Sequence, residues 1–238
     1  MEKVQKLLVI IPSFNEEKNI ARVIKEIKQE MPWVDIISVD DGSTDNTARV
    51  VCENGGRCIR LPFNMGYSKA LQTGYKFAAT NGYSHVLQMD ADGQHIASEA
   101  KKLIEHAEAT GADVVIGSRY LEDTGYRGSK LREFGTRFFG LLIKMATGKK
   151  IADSTSGFQV ISRRVFEKYA NGAVFPEYPD ANLILGLIKK GCKVEEIAVK
   201  MRLNETGGTM HSGVWKPIRY MVLMAYSILI VLCRKEVW

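Results

Sequence analysis

Asp90 and Asp92 stand two residues apart at the end of the apolar-leaning run Leu87-Gln88-Met89, and Gly93, Gln94 and His95 follow them. Placing even one unpaired carboxylate at a buried strand end costs several kcal/mol. Two neighbouring carboxylates also raise each other's pKa unless a cation sits between them. Oxygen ligands of this kind select a hard divalent ion, Mg²⁺ or Mn²⁺. An ion held by few protein oxygens completes its shell with substrate phosphates. The segment therefore predicts a metal-dependent enzyme acting on a diphosphate. Gln94 can serve as a neutral oxygen ligand or as a surface amide, and its closeness to Asp92 tips it to ligand. His95 reads as a packed or surface histidine, because hard-ion chemistry does not require it.

Other candidates have open readings of their own. Glu16, in Pro12-Ser13-Phe14-Asn15-Glu16, can complement a helix dipole from the first turn or bond a ribose hydroxyl. Asp40-Asp41-Gly42-Ser43 taken alone is better read as a turn and cap, although Asp at a strand end also suits a base or ribose edge. Arg119 is a solvated charge or a phosphate clamp, since guanidinium meets phosphate bidentately. Arg127, Lys130 and Arg132 lie in or beside the polar, Gly-rich stretch from Tyr120 to Lys130. They can receive an anionic acceptor or simply solvate a mobile loop. Asp153 is a cap, an Asx turn or a functional carboxylate. Arg202 and Gly207-Gly208-Thr209 can close over a diphosphate or merely connect.

These residues need a scaffold, and the chain supplies an alternating one. Leu7–Ile11, Val34–Val39, Arg57–Leu61, His85–Met89 and Asp113–Ile116 read as strands, the first ending at Pro12. Between them Glu17–Glu30, a stretch capped by Thr44 or Asp45 and running to about Cys52, Tyr67–Ala79 and Ala97–Ala109 read as helices. Strands alternating with helices imply a parallel sheet covered on both faces. Ligands bind such sheets beyond the carboxyl ends of the strands, where the polar clusters fall. Further on, Leu131–Thr147 and Leu183–Lys190 read as helices, Gly157–Ser162 and Lys193–Val199 as strands, and Asn204–Gly213 as a flexible loop.

A chain of 238 residues, 45% hydrophobic, can bury a full core. Its net charge of +6 comes with no basic run resembling a nucleic-acid arm, so no nucleic-acid partner is expected. Anionic phosphates or an anionic membrane surface fit better. Cys52, Cys58, Cys192 and Cys233 form no CxxC pair and, without a secretory signal, read as reduced cytosolic thiols. Tyr220–Cys233 is almost wholly apolar, with Trp215, Lys216 and Arg219 before it and Arg234, Lys235 and Trp238 after it. It is shorter than the ~20 residues that span a bilayer. Its flanks predict an interfacial helix, while a core or oligomer-interface helix is the plainer alternative. The expected division is residues 1–213 as the main domain and 214–238 as a membrane- or partner-associating helix.

Taken together the motifs resemble the inverting family-2 glycosyltransferases of the GT-A fold, and among them the dolichyl- and polyprenyl-phosphate sugar synthases. The likeness rests on Val9-Ile10-Ile11-Pro12-Ser13-Phe14-Asn15-Glu16-Glu17, Val39-Asp40-Asp41-Gly42-Ser43-Thr44-Asp45, Asn64-Met65-Gly66-Tyr67-Ser68-Lys69-Ala70, Met89-Asp90-Ala91-Asp92-Gly93-Gln94, Gly117-Ser118-Arg119 and Ser156-Gly157-Phe158-Gln159. The resemblance implies a Rossmann-like, mostly parallel sheet flanked by helices. It implies transfer of a sugar from a nucleoside diphosphate sugar, UDP before GDP, to a polyprenyl phosphate, with Mg²⁺ or Mn²⁺. Pro12, Phe14, Glu16, Asp40, Asp41, Asp90, Ala91 and Asp92 would bind the nucleotide sugar. Asp92 and Gln94 would hold the metal. Asp153, Arg119 and Asp90 would be the catalytic group, with Arg119, Arg127 and Lys130 on the acceptor phosphate. Gln159 departs from the Arg that many relatives carry there and removes one phosphate contact. The transmembrane pair of many bacterial relatives is absent from the sequence, so a membrane surface or a separate small membrane protein is expected to dock on residues 214–238, and self-association is reasonable. The expected location is peripheral, at the cytoplasmic face of the membrane. A hydroxyl acceptor in cell-surface polysaccharide synthesis is the alternative, and would require Asp153 or Asp180 as base. A nucleotidyltransferase would carry a Gly-rich, basic loop in place of Pro12–Glu16, and a non-catalytic scaffold would have lost Asp90, Asp92 or Gln94.

Overall fold

A computed structural model describes residues 6–122, 130–172, 175–202 and 215–233. Among the described residues seven strands form one sheet in the order β3-β2-β1-β4-β6-β5-β7. They are β1 (Leu7–Ser13), β2 (Asp35–Asp40), β3 (Arg57–Arg60), β4 (His85–Gln88), β5 (Val114–Ser118), β6 (Gln159–Ser162) and β7 (Val194–Ala198). The helices are α1 (Ile20–Glu30), α2 (Thr47–Glu53), α3 (Tyr67–Thr80), α4 (Ala97–Thr110), α5 (Lys130–Thr147), α6 (Arg163–Asn171), α7 (Ala181–Lys189) and α8 (Trp215–Cys233).

β1 is buried along its whole length and its side chains alternate between two cores. Leu8 and Ile10 join α3, α6, α7 and α8 on one face, while Leu7, Val9 and Ile11 join α1 and α4 on the other. Pro12 continues β1 rather than ending it, pairing with Val39 of β2. The register with β4 stops at Ile10 and Gln88. Pro12 thus lies past the paired stretch on that side, where its missing N–H forfeits no ladder bond.

Among the described strands β6 alone runs antiparallel, between β4 and β5. Gln159 pairs with both Gln88 and Ile116, so β6 starts at the carboxyl ends of its neighbours. The segment from Ile151 to Phe158 is thereby held at the same edge as Asp90 and Arg119. α6 has no counterpart in the sequence reading, although Val165, Phe166, Tyr169 and Ala170 are buried at helical spacing. α8 lays Met224, Ile228 and Val231 into the core against α7. Asn182 Nδ2 donates to Ser227 Oγ at 2.7 Å, and Lys189 Nζ to the carbonyls of Val231 and Leu232 at 3.1 Å each. No described helix is long and apolar enough to cross a membrane. The four cysteines are free.

Candidate active site at the carboxyl ends of the strands

Two loops are laced together after β1 and β2. Asn15 adopts φ 56°; its N–H donates to Ser43 Oγ at 2.9 Å and its side-chain oxygen accepts from Thr44 N at 2.9 Å. Glu16 N donates to Thr47 Oγ1 at 2.8 Å, and Asp45 accepts from the amides of Glu17 and Thr47 at 3.2 and 2.9 Å. Asp45 thus serves the start of α2 from just outside it. This lacing fixes Glu16 and leaves Phe14 43% exposed at the rim.

Asp40 and Asp41 are both buried. Asp40 Oδ1 receives the N–H of Ser43 at 3.0 Å and its hydroxyl. Oδ2 carries no hydrogen bond, and Arg60 Nε stands 3.4 Å from it. Asp41 accepts from Met65 N at 2.7 Å and Gly66 N at 2.8 Å, tying down the loop that opens α3. Gly42, at φ 72°, admits no side chain because a Cβ would meet the Phe63 backbone at 2.7 Å. The pair therefore builds the turn expected from its residue types, with the second oxygen of Asp40 facing Arg60.

Past β4, Asp90 Oδ1 accepts from Tyr67 Oη at 3.0 Å, and its N–H donates to His95 Nδ1 at 3.0 Å. His95 stacks on Phe158 with centroids 4.5 Å apart. Burial pushes its pKa down to about 4, with Arg119 adding to the fall and Asp92 and Asp153 opposing it. It is a neutral, packed histidine. Asp92 accepts from Gln94 N at 2.9 Å and Gln94 Nε2 at 2.5 Å. Burial raises the Glu16 carboxyl above its ordinary value; a hydrogen bond from Asn19 opposes this, and the charges of Asp92, Asp45 and Asp90 add to it. Glu16, Asp90 and Asp92 thus share one negative field. Ala91 is buried between the two aspartates.

This donor set suits a hard cation. Among the described residues no group of three or more His, Cys, Asp or Glu side chains forms a cage for an ion. An ion beside Asp92 would need the Gln94 carboxamide to turn its oxygen inward, and would take the rest of its shell from a ligand's phosphates.

Arg119 and Asp153 meet each other. Arg119 Nε donates to Asp153 Oδ2 at 2.7 Å and Nη2 to Oδ1 at 2.8 Å, and the Arg119 amide reaches Oδ2 at 3.1 Å. Thr155 and Thr136 extend the network. Glu196 on β7 accepts from the amides of Ala152 and Asp153 at 2.7 and 2.8 Å. Asp153 is 0% and Arg119 8% exposed, so the two form a buried fork. Neither the pairing nor the role of Glu196 was read from the sequence. Arg202 Nη1 donates to Glu26 at 2.8 Å, and its N–H to the Gln94 carbonyl at 2.9 Å. Lys130 opens α5. Arg127, the Gly207-Gly208-Thr209 loop and the basic and aromatic residues after Cys233 lie outside the described residues.

The family model for glycosyl transferase family 2 matches residues 8–170, a span that takes in the sheet from β1 to β6 and leaves out α7, β7 with Glu196, Arg202 and α8. The chain belongs to glycosyltransferase family 2. This glycosyltransferase is 30% identical over 218 residues to the polyprenol monophosphomannose synthase of Mycolicibacterium smegmatis, covering 88% of the chain and 82% of that protein. It is 27% identical over 213 residues to the UDP-N-acetylglucosamine–dolichyl-phosphate N-acetylglucosaminyltransferase of Methanococcus voltae, covering 82% and 84%. Its fold matches glucosyl-3-phosphoglycerate synthase of Mycobacterium tuberculosis in a complex with Mn²⁺, UDP and glucosyl-3-phosphoglycerate, with a TM-score of 0.70, 18% identity, and 96% and 80% of the two chains covered. The α/β glycosyltransferase fold expected from the motifs is therefore present, with its polar clusters on one edge of the sheet.

Proposed function

We propose that this glycosyltransferase moves a sugar, with inversion, from a nucleoside diphosphate sugar to a polyprenyl phosphate at a membrane surface. The observation that carries the reading is the acidic cluster of Glu16, Asp90 and Asp92 with the Gln94 carboxamide at the ends of β1 and β4. It is an arrangement for a cation-bound diphosphate, and relatives named for polyprenyl- and dolichyl-phosphate transfer supply the acceptor class.

Asp92 and Gln94 would hold Mg²⁺ or Mn²⁺. Bound there, the ion supplies neutralisation of the charge that grows on the leaving diphosphate. Pro12, Phe14, Glu16 and Asp40 are assigned to the nucleoside side, with Arg60 Nε 3.4 Å from the buried Asp40 Oδ2. UDP is preferred to GDP as donor. Asp41 acts on the nucleotide through the Met65-Gly66 loop it holds, and Asp90 orients the donor directly. Arg119 with Asp153 keeps the floor of the acceptor side rigid, and Arg127 and Lys130 are assigned to the acceptor phosphate.

An anionic phosphate acceptor needs no strong base. A hydroxyl would need one. Asp153 is committed to Arg119, and Asp180 Oδ2 accepts from Tyr220 Oη at 2.8 Å. That favours the lipid phosphate. The membrane reading also draws on two exposed apolar stripes, Phe134, Phe138, Leu141 and Met145 on α5 and Val222, Tyr226, Leu229 and Leu232 on α8. The test offers labelled UDP- and GDP-sugars with Mn²⁺ to vesicles containing polyprenyl phosphate. Label entering a mild-acid-labile lipid is expected, and names the donor. Nucleotide-sugar binding without lipid labelling would overturn the acceptor.

A further inference from the structure

A directed hydrogen-bond relay runs from the core to Asp90. Tyr75 Oη donates to Gln88 Oε1 at 2.7 Å, Gln88 Nε2 donates to Tyr67 Oη at 2.9 Å, and Tyr67 Oη donates to Asp90 Oδ1 at 3.0 Å. Only this orientation satisfies every group. With the Gln88 amide reversed, Tyr67 would give its single proton to Gln88 and face a carboxylate oxygen with none between them. Burial raises the Tyr67 hydroxyl well above its ordinary range, with the charges of Asp90 and Asp180 adding to the rise. The phenol therefore stays protonated and remains a donor.

The surroundings are shaped to keep the hydroxyl in place. A Cβ at Gly157 would lie 3.0 Å from Tyr67 Oη and 3.2 Å from Gln88 Nε2, so only glycine lets the loop before β6 close on the relay without displacing it. Packing alone would be met by phenylalanine at 67. The hydroxyl has one further partner besides Gln88, and that is Asp90.

We propose that Tyr67 is a positioning residue for the donor, acting through Asp90: its hydroxyl, oriented by Gln88 and Tyr75, holds the Asp90 carboxylate in one setting. This inference rests on the reading of Asp90 as a donor-binding group. His95 Nε2 stands 3.7 Å from the other Asp90 oxygen, so losing the Tyr67 bond removes one restraint on the carboxylate, and donor binding then bears more of the cost of ordering it. The expected loss is about tenfold, in keeping with one hydrogen bond to a charged group.

The test compares wild type with Tyr67→Phe, Gly157→Ala and Tyr83→Phe. Tyr83 Oη donates to Asp35 Oδ2 at 2.8 Å at the opposite edge of the sheet, so its variant removes a bond of the same kind far from the site. Equilibrium binding of Mn²⁺ with the accepted nucleotide sugar is measured together with donor KM, acceptor KM and the thermal midpoint. Tyr67→Phe and Gly157→Ala are expected to raise donor Kd and KM about tenfold with acceptor KM unchanged, and Tyr83→Phe to lower the midpoint with donor KM unchanged. A normal donor Kd and KM in folded Tyr67→Phe overturns the inference alone. If Tyr67→Phe does not fold, a normal donor KM in Gly157→Ala overturns it equally. A wild type that binds no UDP- or GDP-sugar with Mn²⁺ overturns the parent reading and the inference together.

Discussion

Asp153 shows how a side chain's job can depend on a residue far away in sequence. Its carboxylate holds Arg119 across 34 positions, and no local pattern announces that meeting. Asp153→Asn leaves a guanidinium buried without its counter-charge, a loss of about 3–5 kcal/mol, read as a shift in the urea midpoint. An unchanged midpoint would show the fork to be dispensable. Asp92→Asn is a different kind of change, at a part-buried group beside solvent. It should abolish transfer while the unfolding transition stays near that of wild type, and near-full rate would remove Asp92 from the metal role. The contact between Asp92 and Gln94 was legible because both lie in one short segment. The work of Asp41 was not, because its partners are backbone amides 24 and 25 residues on.

Elements were legible where burial imposes a simple period. β1 and the helices α1, α3 and α4 follow their apolar patterns to within a few residues. The antiparallel direction of β6 could not be read, since four residues of strand look alike in either direction. α6 escaped notice because only a short stretch, Arg163–Asn171, carries its pattern. The β4–β6 junction predicts a pH response. His95 is neutral in the fold, its pKa depressed from the ordinary 6.5 to about 4 by burial between Asp90 and Phe158. As pH falls through 6.5 the unfolded chain takes up a proton that the folded chain refuses until about 4. Stability is therefore full above that window and is lost progressively down to its lower end. Denaturation midpoints of wild type and His95→Asn between neutral and mildly acidic pH should converge. Parallel curves would contradict the assignment.

Over the whole molecule, one sheet edge collects the polar clusters while α5 and α8 present apolar stripes to solvent. The Phe139 and Tyr220 rings, 6.2 Å apart, join the two helices. The inner face of α8 belongs to the core, so the stripe is best tested by substitution rather than by deletion. Replacing Tyr226 and Leu229 with lysine should lower flotation with neutral vesicles several-fold and leave the circular dichroism spectrum unchanged. Equal flotation would remove α8 from membrane contact. The measurement that bears most directly on the central claim is a competition: purified protein, Mn²⁺ and its labelled nucleotide sugar are offered polyprenyl phosphate and the corresponding free polyprenol in the same vesicles. The account predicts label on the phosphate-bearing lipid, lost on chelation of the metal and in Asp92→Asn. Label on the free alcohol, or transfer that persists without a divalent ion, would contradict it.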